Sequence, residues 1–135
     1  MAAQRFPIRL GPRSRPLLRL LFGARDDNAY VDLDGELDAR FGRFRFRTPV
    51  SNLASWRIEG PWLWITAIGV RMSIRHRDVT FGGDPAGGVR IDFREPIRAG
   101  FVHVPAIYVT VGDLEGLGAA LTERGVPGLD ARRPA

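Results

Sequence analysis

The 135-residue chain contains no cysteine and no lysine. Without a thiol there can be no disulfide, no zinc–thiolate centre and no cysteine nucleophile. A long hydrophobic run is also missing: the least interrupted apolar stretch, 60–70, carries Gly60, Pro61 and Gly69 and is far short of the roughly 20 residues that a membrane-spanning helix needs. The N-terminal apolar residues are interrupted by Pro7, Pro12, Arg13, Arg15, Pro16 and Arg19, which leaves no continuous core for a secretion signal. These absences predict a soluble, cytoplasmic protein.

Chemistry-bearing constellations are equally scarce. The glycine-rich stretch 82–88 lacks the Gly-Lys-Ser/Thr ending of a phosphate-cradling loop and precedes a strand rather than a helix, so it reads as a turn. Asp32, Asp34 and Gly35 echo a calcium loop, but aligning Gly35 with the loop's glycine puts Tyr30 at the first ligand position and Phe41 where a bidentate Glu is required. Of the two histidines, His76 lies between Arg75 and Arg77, whose charges oppose its protonation, and His103 has no carboxylate or hydroxyl neighbour in sequence. Both read as structural. No catalytic residue, metal ligand or cofactor is assigned.

What is present fits one globular domain over 1–135, with a core over 4–126 and a short tail over 127–135. Apolar residues make up 44% and charged residues 26%, and the net charge is +5 with every Lys/Arg position an arginine. That charge invites an acidic or anionic partner. Enrichment in Arg, Gly, Ala and Pro is equally what GC-rich coding would produce, so charge alone does not decide. The shortage of exposed-looking aromatics among the arginines argues against nucleic acid.

Alternation at period two marks the strands. Phe6, Ile8 and Leu10 share one face of a first strand that Pro7 confines to an edge or a strand start. Tyr30–Leu33 leads to a turn at Asp34–Gly35, and Leu37, Ala39 and Phe41 follow. Past Gly42, the run 43–47 places Phe44 and Phe46 inward and Arg43, Arg45 and Arg47 outward. Gly42 fits either a bulge in one long strand or a turn between two. Trp56 with Ile58, the 70–74 run, and the pair of runs 79–81 and 89–93, read as a hairpin, continue the pattern. The stretch 60–68 reads equally as strand or helical turn. Residues 96–105 read as a loop and 107–111 as a last strand.

Two helices are expected. Pro16 and Gly23 bracket a two-turn helix in which Leu17, Leu18, Leu21 and Phe22 form an apolar stripe. With Arg13, Arg15, Arg19 and Arg25 around it, the segment has two readings: an element lying on an anionic membrane, or a helix docking its leucines on the sheets. Asp113 caps a second helix running to Arg124, with Leu114, Leu117, Ala120 and Leu121 on one stripe and Gly125 and Pro127 as stop signals. Gly116 and Gly118 each cost it about 1 kcal/mol against Ala, so docking must hold it.

The expected fold is mainly β (α+β): about seven to eight short antiparallel strands in a bent sheet or split barrel, closed by the C-terminal helix. That order of elements resembles the pleckstrin-homology-like superfold, a fold that hosts headgroup, peptide and structural roles. Its headgroup-binding members resemble one another in a basic loop between the first two strands, whereas the matching turn here, 32–36, is short and acidic. Separately, the phrases 48–52 (Thr-Pro-Val-Ser-Asn), 60–62 (Gly-Pro-Trp), 68–73 (Ile-Gly-Val-Arg-Met-Ser), 80–82 (Thr-Phe-Gly) and 109–111 (Val-Thr-Val) resemble an uncharacterised family of small actinobacterial proteins. That resemblance implies no activity.

Two functional expectations follow. In the first, a binding module presents Arg43, Arg45 and Arg47 on one strand face, joined by Arg71 and Arg75, to an acidic protein or an anionic membrane surface. In the second, a small molecule occupies an apolar pocket lined by Trp56, Trp62 and Trp64 with phenylalanines.

Overall fold

A computed structural model describes residues 4–11, 15–25, 27–59, 69–72, 79–82, 87–99 and 102–131, with backbone alone for 69–72, 79–82, 99 and 102. The chain is mainly β, with two sheets and two helices, and no closed barrel forms among the described residues.

The first sheet is an antiparallel meander of β1 (Gln4–Pro7), β2 (Ala29–Leu33), β3 (Glu36–Phe41) and β4 (Phe44–Pro49) in sequence order. Alternation sets its faces: Val31, Leu33, Leu37, Ala39 and Phe41 are buried, with Asp32, Asp38 and Arg40 on the other side. Pro7 sits on the edge strand, where its missing N–H costs no rung. At Gly42 the chain turns rather than bulges. Phe41 pairs with Phe44 around a two-residue loop, and Gly42 takes φ +61, the conformation a primed hairpin turn demands of its first residue.

Phe44, Phe46 and Thr48 do share the inward face of β4, but burial changes along it. Phe44 is 43% exposed, Phe46 is half-buried and Thr48 is 5% exposed. The expectation that both phenylalanines enter the core is therefore corrected for Phe44, whereas Phe46 packs, half-buried, against the core. β4 is the free edge of its sheet, and its turn end projects beyond the core, where Phe44 leans edge-on against Phe22 with centroids 6.2 Å apart.

The second sheet contains β5 (Leu53–Glu59), β6 (Gly69–Met72), β7 (Val79–Gly82), β8 (Gly88–Ala99), β9 (Val102–Val109) and β10 (Gly128–Asp130), in the order β10-β5-β8-β9-β7-β6. Four expectations are corrected here. The described strands number ten, and the β7–β9 and β10–β5 pairings are parallel. β7 and β8 form no hairpin, because β9 lies between them. The 96–105 loop is largely strand: Pro96 and Pro105 fall between the Asp92–Ala106 and Ile97–Val104 rungs, where the register shifts, so neither removes a ladder bond. Residues 128–130, assigned to the tail, add a strand to β5, and the flanking bonds are Trp56 N–H to Pro127 O at 3.0 Å and Ala131 N–H to Ile58 O at 2.9 Å.

The two sheets share one core. Ala106–Val109 of the central strand β9 is buried at every residue, as a strand covered on both faces requires. The chain at 7–9 joins the sheets: Ile8 N–H bonds Ala29 O, Arg9 N–H bonds Thr110 O, and Gly112 N–H bonds Pro7 O, at 2.8–2.9 Å. Helix α2 (Leu114–Glu123) buries Leu114, Leu117, Ala120 and Leu121, and the Asp113 carboxylate accepts the Gly116 N–H at 2.9 Å. Helix α1 (Arg15–Phe22) docks differently. Only Leu18 is fully buried, Phe22 is half-buried, and Leu17 and Leu21 of the expected docking stripe are exposed.

Candidate functional site

On the outer face of the first sheet, arginines alternate with carboxylates. Arg45 donates Nε to Asp38 Oδ1 at 2.8 Å and a terminal nitrogen to Oδ2 at 2.5 Å. Arg47 donates twice to Glu36 Oε1, at 3.1 and 2.7 Å. Arg5 makes the same two-pronged contact with Asp32, at 2.7 and 2.9 Å, and lies 3.9 Å from the Tyr30 ring centroid. Hydrogen bonding to Arg45 pulls the Asp38 carboxyl below the usual aspartate range, and the matching bonds raise Arg45 and Arg5. The acids come from β2 and β3, so their neutralising role depends on a register that the run 43–47 does not contain.

Three members of the expected five-arginine surface, Arg43, Arg45 and Arg47, have described side chains, and they divide between a strand and a turn. Arg45 and Arg47 stand on β4 as expected, but Arg43 belongs to the Gly42–Arg43 turn, where it donates to Leu21 O at 3.3 Å. Arg71 belongs to β6, at the far edge of the other sheet. Its side chain lies outside the described residues, as do Arg75, Trp62 and Trp64.

Trp56, the described member of the tryptophan trio, packs beneath α2 and the approach to β10. Its indole N–H reaches Thr122 Oγ1 at 3.2 Å and Val126 O at 3.1 Å. A Cβ at Gly118 would lie 2.9 Å from its ring, and one at Gly128 closer still, so α2 and the approach to β10 press directly on the indole.

Three open depressions lined by described residues differ in charge. The largest, about 610 Å³, is lined by Gln4, Arg5, Asp32, Asp34, Gly35, Glu36 and Asp38; its carboxylates include the three that already hold arginines, and no group of acids or histidines among the described residues is arranged to hold a metal. A second, about 540 Å³, sets Arg47 and Arg94 beside Glu95 and Asn52. Asn52 is committed to structure, donating to Thr48 Oγ1 and Glu95 O and accepting the Glu95 N–H.

The third is basic. About 430 Å³ in volume, it is lined by Arg19, Gly23, Arg25, Asn28, Arg40, Gly42 and Arg43, with no carboxylate among the described residues of the lining. Two glycines bring its walls together. Gly23, at φ +67, ends α1 with its N–H on Arg19 O at 3.1 Å, the left-handed cap that lets the chain reverse. Gly42 packs so closely on Phe22 O that no Cβ would fit, and it donates its N–H to Asn28 O at 3.0 Å. Arg43 N–H closes the joint on Phe22 O at 3.2 Å. The β3–β4 turn is thereby bolted to the carbonyl end of α1, where cations are favoured.

Within that depression, Arg25 pairs loosely with exposed Asp27 at 3.5 Å, Arg40 Nε donates to Gly42 O at 3.1 Å, and the Arg19 guanidinium has no partner among the described residues. Such a cluster can offer several guanidinium N–H groups to one anion. Sequence reading placed Arg19 and Arg25 around α1 and Arg40 on a strand face without joining them. The readable signal was the pair of glycines, one ending the helix and one turning the hairpin. The chain matches no protein-family model, no curated protein and no solved structure.

Proposed function

We propose that the protein is a non-enzymatic cytoplasmic binding module that takes an anionic, phosphate-bearing group in the basic depression between α1 and the β3–β4 turn. The observation that carries this reading is the convergence of Arg19, Arg25, Arg40 and Arg43 on one concavity that has no carboxylate among its described lining residues. Four like charges held together repel where the one counter-charge among the described residues is Asp27, exposed and 3.5 Å from Arg25, and a bound anion relieves that repulsion. Arg45 and Arg47 serve the site less well, since an anion there must compete with Asp38 and Glu36. A pleckstrin-homology-like scaffold is compatible with a C-terminal helix docked on the second sheet, and the two parallel pairings count against it.

Titration with inositol hexakisphosphate, followed by calorimetry at low and high salt, tests the reading. Arg40→Ala and Arg43→Ala should each weaken binding about fivefold or more, the scale of one charge-assisted hydrogen bond. Arg45→Ala and Arg47→Ala should change it little. The reverse pattern would move the site to the strand face, and no binding at low salt would remove it altogether.

A further inference from the structure

Helix α1 carries a wider apolar arc than the fold uses. At 3.6 residues per turn, Leu18 and Phe22 lie together on the face that meets the core, while Leu17, Leu20 and Leu21, spaced i, i+3, i+4, form an adjoining second face. That face is bare: Leu17 is 41% exposed, Leu20 78% and Leu21 55%. Phe44 extends it, 43% exposed and stacked edge-on against Phe22. The bare face and the basic depression are continuous, because Arg43 donates to the Leu21 carbonyl and precedes Phe44 in the chain. Arg19, on the same helix, lines the depression and has no partner among the described residues.

We infer that this surface is a membrane-contact site, in which α1 lies in the headgroup plane of an anionic bilayer. Leu17, Leu20, Leu21 and Phe44 enter the acyl boundary while Arg19, Arg25, Arg40 and Arg43 engage lipid phosphates. The inference rests on the anion-binding reading and names its source of phosphate. Apolar residues rimmed by cations are the arrangement that partitions into an anionic interface, each half supplying what the other lacks. A second copy of the chain fits poorly, since a two-fold interface would set this arginine cluster against itself. An acidic protein would need a groove shaped to a convex ridge whose most exposed residue is Leu20, whereas a fluid interface adapts to any convex shape.

The absence of cysteine makes the test direct. Leu20→Cys, labelled with a polarity-sensitive fluorophore, should shift to the blue on phosphatidylcholine vesicles containing phosphatidylserine and should not respond to pure phosphatidylcholine. The same label at Leu129→Cys, exposed on β10, should stay in water. In co-sedimentation, Leu20→Asn with Leu21→Asn should cut vesicle binding at least about tenfold while leaving inositol hexakisphosphate affinity unchanged, and Arg43→Ala should weaken both about fivefold. Hexakisphosphate binding with no vesicle binding would overturn the membrane inference and leave the anion site standing. Loss of both would overturn both. Leucine-dependent binding of polyglutamate but not of vesicles would overturn the inference in favour of an acidic protein.

Discussion

Arg45 grips Asp38 although the two are not opposite each other. Across the β3–β4 ladder Asp38 faces Arg47 and Arg40 faces Arg45, so a strictly opposite arrangement would set two guanidiniums side by side, an unfavourable pair. Reaching diagonally lets Arg45 take Asp38 and Arg47 take Glu36. The carboxylate is the better shielded partner, with side-chain exposure of 13% against 47% for Arg45.

That pair predicts an acid-side signature. Because folding lowers the Asp38 pKa, the folded state binds the proton less readily than the unfolded chain. The pair therefore adds stability above the unfolded aspartate pKa of about 3.9, and that contribution is lost as pH falls through the lower folded value. Urea midpoints for the wild type and Arg45→Ala should differ by a constant amount from neutral pH down to about 5, then converge as the pH drops below about 4. A gap that persists undiminished into strong acid would show that the contact with Asp38 is not what Arg45 contributes.

The burial gradient along β4 predicts a graded series. Phe41, fully buried, should cost about 3–5 kcal/mol on truncation to Ala. Phe46→Ala should cost clearly less, and Phe44→Ala no more than about 1 kcal/mol, since it loses little beyond its edge contact with Phe22. Chemical denaturation of the three variants orders them. Equal losses at 44 and 46 would contradict the gradient.

That same strand shows what the sequence could reveal. Period-two alternation gives the face of Phe44 and Phe46 correctly, because side chains of a strand have only two ways to point. It does not say how far the core extends beneath that face, which depends on where β4 ends relative to α1 and the second sheet. Local signals likewise identified the Asp113 cap, the buried leucines of α2 and the edge position of Pro7. They failed where pairing is non-local: β9 inserting between β7 and β8, and the parallel addition of β10 to β5. The basic depression was hidden for the same reason, since Arg19, Arg25, Arg40 and Arg43 come from a helix, a loop, a strand and a turn.

Gly118 offers a case where propensity and packing disagree in sign. In an otherwise unconstrained helix interior, Gly→Ala gains about 1 kcal/mol. Here a Cβ would meet the Trp56 ring at 2.9 Å, so Gly118→Ala should instead destabilise, by about 1–3 kcal/mol of overpacking. Introducing the same change into Trp56→Ala removes the obstacle, and the helix gain should reappear. Denaturation across the double-mutant cycle measures the coupling; additive effects would mean that the indole does not govern the site.

Arg124 ends α2 as a clasp on the first sheet, and its removal should loosen both ends of the contact together. Its guanidinium donates to Gln4 Oε1 at 3.0 Å, Ala120 O at 3.1 Å, and Leu33 O and Asp34 O at 3.4 Å each. The last two carbonyls flank the β2–β3 turn, some ninety residues away in sequence. Arg124→Ala removes this donor from the part-buried contacts with Ala120 O and Leu33 O, a loss of about 1–3 kcal/mol. Arg124→Lys should recover only part of it, because an ammonium lacks the planar fork that reaches several carbonyls at once. Native-state hydrogen exchange distinguishes a clasp from an ordinary surface charge. If Arg124 holds the two elements together, amides of the last turn of α2 and of the β2–β3 turn should lose protection in parallel, while those of β9, at the centre of the core, should fall only by the change in global stability. Loss confined to the helix end would mean that Arg124 merely caps α2 and does not tie it to the first sheet.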